Sequence, residues 1–319
     1  MRMNDVIKLI DKANKAILLA HENEDADSVG SCFAMALALR NAGKSAVCVF
    51  SDSVPSHIAF MGDDYEIFDE EKCYESDLCI CLDCGDIDRI GKRKKIFDAA
   101  ANTLSIDHHH TNTRFADVNY VEGDAASTGE VLYKIFKKAN IEITADIAKN
   151  LFASISSDTG SFKYSNVSCE TMNIAGELIK TGINHTEISR LLHDTKTFEQ
   201  IKFEAYVMGS IERYFDGKLT VITAKHEAFE KFDIDEKNTG DIVDIAKSIE
   251  GCMIAVSLKE LQGKIKMSFR SNCQISVSDA AVSFGGGGHY MAAGATVSGK
   301  TLDELKADVV KTFEGLLND

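Results

Sequence analysis

Apolar and polar residues alternate in blocks along the first half of the chain. "KAILLA" (15–20) is short and continuously apolar, the pattern of a fully buried strand. "SVGSCFAMALALRNAG" (28–43) spaces its apolar residues as a helix does and stops at Gly43. "SAVCVF" (45–50), "DLCICLDCGD" (77–86) and "NTLSIDHHH" (102–110) read as further strands. Short apolar runs separated by helices predict a parallel sheet with crossover connections. "TADIAKNLFASISSDTG" (144–160) places Ile147, Ala148, Leu151, Phe152 and Ile155 on one helical face, with Thr144 as N-cap. Asn184 with Glu187, and Thr197 with Gln200, open two more helices in capping-box spacing.

The pattern then changes. "TFEQIKFEAYVMGSIERYF" (197–215) predicts one long helix connecting two domains. After Asp216-Gly217, "KLTVITA" (218–224) reads as a strand. "CMIAVSLKEL" and "KIKMSFRSN" flank Gln262-Gly263 as a hairpin. "VSDAAVSF" (277–284) is a short helix before "GGGGH" (285–289), and Thr301 with Glu304 caps a last helix over 301–317. The expected fold is α/β. A parallel-sheet domain occupies 1–192, a helical linker 193–216, and a smaller α/β domain 217–319.

Composition narrows the function. The chain has 319 residues, 45% of them hydrophobic, enough for two cores. Its net charge of −15 argues against long nucleic acid as a partner, because such binding rests on phosphate neutralisation. Phosphate substrates stay open, since a bound cation inverts the local field. The basic run "GKRKK" (91–95) reads as a solvated helix face. No apolar stretch reaches the roughly 20 residues of a membrane span, and the N-terminus lacks a signal-peptide core, so no membrane partner and a cytoplasmic setting are expected. Nine cysteines cannot all pair within one chain. Cys79, Cys81 and Cys84 stand close enough for a metal knuckle, but no second pair stands at zinc-finger spacing. They read as small buried hydrophobes.

Four titratable clusters stand out. His21, Asp25 and Asp27 follow the first strand; Asp83 ends a later one; Asp107, His108, His109 and His110 end another; Asp158 lies at a helix C-terminus. In open α/β sheets, ligands bind at the carboxyl ends of strands, where three of these clusters are expected. Either Asp25 or Asp27 could also simply cap the helix at 28. Oxygen-rich donors with a few imidazoles suit manganese, magnesium or iron. Their number exceeds the needs of one ion and suits two, about 3.5–4 Å apart and sharing a carboxylate. In the second half, Arg270 and "GGGGHYMAAG" (285–294) suggest a clamp for a phosphate or a base.

These motifs, in order, resemble the DHH phosphoesterase family with a C-terminal DHHA1 domain. "HENEDADSVGS", "LDCGD", "DHH" at 107–109 and "SDTGSF" resemble its four catalytic motifs, and "GGGGHYMAAG" its DHHA1 signature. The chain looks most like the bacterial oligoribonuclease and pAp phosphatase branch. The resemblance implies one divalent cation on His21, Asp25 and Asp83, and a second on Asp27, Asp83, His108 and Asp158, with Asp83 bridging and Mn2+ the usual ion. It implies that Asp107 supports the histidine ligand and that His109 sits near the scissile phosphate. Arg270, Ser271, Gly286, Gly287, Gly288 and His289 would bind the rest of the nucleotide. One departure is Glu24, where the family usually has proline; it changes loop stiffness and removes no ligand. The implied activity is hydrolysis of short RNA oligonucleotides, pApA and pAp. Hydrolysis of cyclic di-AMP, pyrophosphatase activity and a catalytically silent nucleotide sensor are the rivals, and a homodimer is left open.

Overall fold

A twisted sheet of six parallel strands forms the centre of the first of two units. The computed structural model describes residues 2–317, and the chain divides into Met1–Thr195 and Lys196–Asp319. The strands of the first unit are β1 (Lys15–Leu19), β2 (Ser45–Phe50), β3 (Tyr65–Ile67), β4 (Leu78–Leu82), β5 (Thr103–Asp107) and β6 (Val118–Val121). They lie in the order β3-β2-β1-β4-β5-β6, every pair parallel. Its helices are α1 (Met3–Lys12), α2 (Ala26–Asn41), α3 (Lys94–Ala99), α4 (Thr128–Ala139), α5 (Ala145–Asp158), α6 (Cys169–Lys180) and α7 (His185–Ser189).

Both faces of this sheet are covered, which is why β4 is apolar throughout and β1 is apolar from Ala16 on. Leu18, Ile80, Leu104 and Ile106 pack with Met35, Leu132 and Leu151 on one face. Ile17, Leu19, Cys79 and Cys81 pack with Ile96 and Phe97 on the other. Cys79, Cys81 and Cys84 are all buried, and burial pushes the Cys84 thiol up to about 12. That is the chemistry of packing. The basic run departs from its reading as a solvated face. Lys92, Lys94 and Lys95 are exposed, but Arg93 is only 1% exposed, because it meets a buried glutamate described below.

The second unit holds a mixed sheet in the order β11-β12-β10-β9-β8-β7. Its strands are β7 (Glu212–Tyr214), β8 (Leu219–Ala224), β9 (Ile254–Leu261), β10 (Lys264–Ser271), β11 (Gly287–Gly288) and β12 (Ala292–Val297). Only β8 and β9 run parallel; the other neighbours are antiparallel. The helices are α8 (Phe198–Met208), α9 (His226–Phe232), α10 (Ile242–Lys247), α11 (Val277–Ser283) and α12 (Leu302–Leu317). The single long helix expected over 197–215 stops at Met208, and Glu212–Tyr214 pairs instead as an edge strand on β8. Nor does α8 merely connect. Phe203 and Val207 are buried with Ile222, Phe229 and Ile242, so most of the segment 193–216 lies inside the second unit. No helix among the described residues is long and apolar enough to cross a membrane.

Candidate metal centre

Strand order reverses between β1 and β4, and such a reversal opens a crevice beyond the carboxyl ends of the two strands. His21 comes just after β1 and Asp83 just after β4. His21 Nδ1 lies 2.8 Å from the Glu22 carbonyl. Its Nε2 faces Asp25 Oδ2 at 3.5 Å and Asp83 Oδ2 at 3.7 Å. Asp25 also caps α2: Oδ1 accepts from the Ser28 amide at 2.9 Å, and Ser28 Oγ accepts from the Asp25 amide at 3.0 Å. One oxygen therefore serves the helix while the other faces the imidazole.

Asp27, on the first turn of α2, is fully buried. It accepts from the amides of Thr128 (2.9 Å) and Gly129 (3.2 Å), the first residues of α4, and from the Ser154 hydroxyl on α5. A helix N-terminus thus stabilises this carboxylate. A Cβ on Gly129 would run into the Ser154 hydroxyl, so glycine permits this close approach. His108 Nε2 faces Asp27 Oδ2 at 3.7 Å, Asp83 Oδ1 at 3.6 Å and Asp158 Oδ2 at 3.3 Å. Its Nδ1 lies 3.2 Å from the Ala125 carbonyl. Asp83 presents Oδ2 to His21 and Oδ1 to His108, and Oδ1 also accepts from the Thr128 hydroxyl at 3.1 Å.

Asp107 departs from its expected role. Its Oδ1 accepts from the His109 ring at Nδ1 (2.7 Å) and from the His108 amide (2.8 Å), and its Oδ2 accepts from Asn112 (2.7 Å). The imidazole it orients is His109; the ring of His108 is held by a backbone carbonyl. Burial opposes the charge on Asp107, but the His109 and Asn112 hydrogen bonds hold its pKa below the usual value. His110 is exposed.

Three overlapping groups can each hold a metal ion: His21, Asp25 and Asp83; Asp27, His108 and Asp158; Asp83, His108 and His109. Within each group the donor atoms lie within 4.8 Å of one another. The electrostatics fit cations. Burial, then the neighbouring carboxylates, push Asp27 and Asp83 up to about 7 and Asp158 to about 6. Burial opposes protonation of the imidazoles, yet the facing carboxylates raise His21 to about 9 and His108 to about 10. His108 Nε2 is buried and has no hydrogen-bond partner, although it faces three carboxylates. A divalent cation would satisfy that nitrogen and relieve the crowded oxygens together.

In the second unit, Arg270 lies on β10 and pairs through Nη2 with Asp241, while Nη1 donates to the Phe269 carbonyl at 3.1 Å. The Ser271 side chain is buried, its hydroxyl donating to the Cys273 carbonyl at 3.0 Å and accepting from the Cys273 amide at 3.2 Å. The glycine loop is a tight hairpin. Gly287 and Gly288 pair with Gly294 and Ala293, and a Cβ on Gly286 or Gly288 would collide with β12 backbone. The Gly285 and Gly286 amides donate to the Val282 and Ala281 carbonyls at the end of α11, and the His289 amide donates to the Ala292 carbonyl. These glycines serve close strand packing, and two of the amides expected to cradle an anion, those of Gly286 and His289, are already engaged. His289 is exposed at the hairpin tip.

Comparison with known proteins agrees with this fold. The model of the "DHH family, N-terminal domain" matches residues 15–155, and that of the "DHHA1 domain" matches residues 217–318. The bifunctional oligoribonuclease and PAP phosphatase NrnA of Thermus thermophilus is 28% identical over 96% of this chain and 92% of its own length. The NrnA of Bacillus subtilis is 26% identical over 96% of both. Among solved structures, an exopolyphosphatase-related protein from Bacteroides fragilis superposes with a TM-score of 0.93, at 23% identity, over 99% of this chain and 97% of that one. The chain thus carries a DHH-family N-terminal domain followed by a C-terminal DHHA1 domain.

Proposed function

We propose that this chain hydrolyses short oligoribonucleotides, pApA and pAp to mononucleotides, using two divalent cations, with Mn2+ the preferred ion. The observation that carries the reading is the set of overlapping donor groups that share Asp83 and His108 at the switch point of the sheet. Relatives matched over 96% of the chain bear the names oligoribonuclease and PAP phosphatase.

His21, Asp25 and Asp83 would hold one cation, and Asp27, Asp83, His108 and Asp158 the other. Such ions neutralise phosphoryl oxygens and acidify water enough for attack near neutral pH. The chain's own residues do the rest. Asp107 fixes the His109 ring through Nδ1, which directs Nε2 to the phosphoryl group being cleaved. Arg270 binds a second phosphate of the nucleotide through its planar fork, exchanging part of its pairing with Asp241 for the substrate.

The test is a panel of pAp, pApA, five-residue RNA, cyclic di-AMP and pyrophosphate, each with Mn2+ and with chelator. Cation-dependent turnover of pAp, pApA and the RNA is expected. Preference for cyclic di-AMP or pyrophosphate overturns the substrate assignment. Absence of turnover on the whole panel overturns the hydrolase reading and favours the catalytically silent nucleotide sensor.

A further inference from the structure

Glu24 sits between two of the proposed ligands, His21 and Asp25, yet it points away from them into the protein. Glu24 and Arg93 form an ion pair at 2.9 Å, their side chains 5% and 1% exposed. Glu24 Oε1 also accepts from the Ser51 amide at 2.6 Å and the Ser51 hydroxyl at 2.9 Å, and Oε2 meets the same hydroxyl at 2.9 Å. Arg93 reaches further, donating to the carbonyls of Val49 (3.0 Å) and Ile90 (3.2 Å). The segments that follow β1, β2 and β4 are thus tied together behind the His21 cluster.

A second tie runs beside the first. The Glu22 amide donates to the Arg89 carbonyl at 2.7 Å. Gly91 takes a φ of +55°, and a Cβ there would run into the Glu22 carboxylate. The loop 21–25 is therefore held on both sides of its turn.

Stability alone does not account for the pair. Desolvating two charges costs as much as their attraction returns, and well-packed apolar residues usually serve as well. Here the pair even leaves Arg93 Nη2 buried without a hydrogen-bond partner. What an ion pair with four hydrogen bonds supplies is a fixed place for a loop. We infer that Glu24 and Arg93 are positioning residues for one cation only, the one on His21, Asp25 and Asp83. In the other cluster, Asp27 is braced separately by Thr128, Gly129 and Ser154.

The inference rests on the two-cation reading, and the test keeps the two apart. Mn2+ is titrated into the full chain, with free ion followed by electron paramagnetic resonance. The wild type is expected to bind two ions; if it binds none, the cation reading falls, and this inference with it. The charge-neutral Glu24→Leu/Arg93→Met variant is expected to keep one ion at wild-type affinity and to bind the other roughly 10–100-fold more weakly. Added to Asp158→Asn, it is expected to weaken the ion that remains. Wild-type affinity at both sites, or an equal loss at both, overturns the inference. Circular dichroism checks folding. If the double variant is unfolded, Ser51→Ala decides: it keeps both charges, a several-fold loss at the same ion is expected, and no loss overturns the inference.

Discussion

Asp107 holds His109 through a 2.7 Å hydrogen bond to Nδ1, while the adjacent His108 turns its own Nδ1 toward the Ala125 carbonyl. Two neighbouring imidazoles are thus oriented by different partners. Asp107→Asn is expected to lower kcat roughly 10–100-fold, the usual cost of losing an orienting partner. Bound Mn2+ should stay at the wild-type number. Steady-state kinetics with metal analysis on the same samples checks both; loss of an ion would assign Asp107 to ligand support after all.

Asp83 faces His21 with one oxygen and His108 with the other. Asp83→Ala is expected to remove both cations and all measurable turnover. Asp158→Asn should remove only one cation, because Asp158 faces His108 and not His21. Metal content of dialysed protein separates the two outcomes.

Protonation of the cation-free site follows from the raised pKa values of Asp27, Asp83, Asp158, His21 and His108. Each group binds its proton more tightly in the folded chain than in the unfolded one. Their stabilising contribution is complete below the unfolded pKa and is lost as pH rises through the folded value. For the aspartates that window runs from about 4 to about 7, and for the histidines from about 6.5 to about 10. Asp25, lowered to about 2, acts in the opposite sense, but only below pH 4. Cation-stripped protein is expected to lose Tm between pH 5 and 8. Mn2+ should restore it increasingly as pH rises, releasing protons as it binds. Thermal melts with and without Mn2+ at several pH values test this.

Arg270 lies outside the unit that holds the metal donors. Arg270→Ala is expected to raise KM for pAp roughly 10–100-fold, the worth of a charged hydrogen-bonded contact, with cation content unchanged. An emptied metal site in this variant would show that the division of labour between the units is wrong.

Gly129 allows the start of α4 to approach Ser154 and donate to Asp27. Gly129→Ala overfills that contact, and a loss of about 1–3 kcal/mol in urea unfolding is expected. Weaker binding of the cation on Asp27, His108 and Asp158 should accompany it.

The strands that carry the site were legible because both sheet faces are covered, which leaves unbroken apolar runs ending abruptly in His or Asp. Asp25 shows how a cap and a ligand can be one residue, so the two readings of it were never exclusive. What the pattern hid was contact between distant segments. Thr128, Gly129 and Ser154 brace Asp27 from 101 to 127 positions away. The nearest local signal is Ser127, a helix cap accepting from the Glu130 amide, which marks a helix start at the site. Arg93 looked solvated because its neighbours are lysines; only its partner 69 positions away explains its burial. The end of α8 was missed because "IERYF" fits a helical period as well as a strand, and pairing with β8 decided between them.

Asp83 adopts a left-handed backbone, with a φ of +56°. Asparagine and aspartate tolerate that region far better than alanine or any branched residue. Their codons differ by a single base, so Asp83→Asn is the point change expected to remove the shared carboxylate at the least cost to this backbone turn.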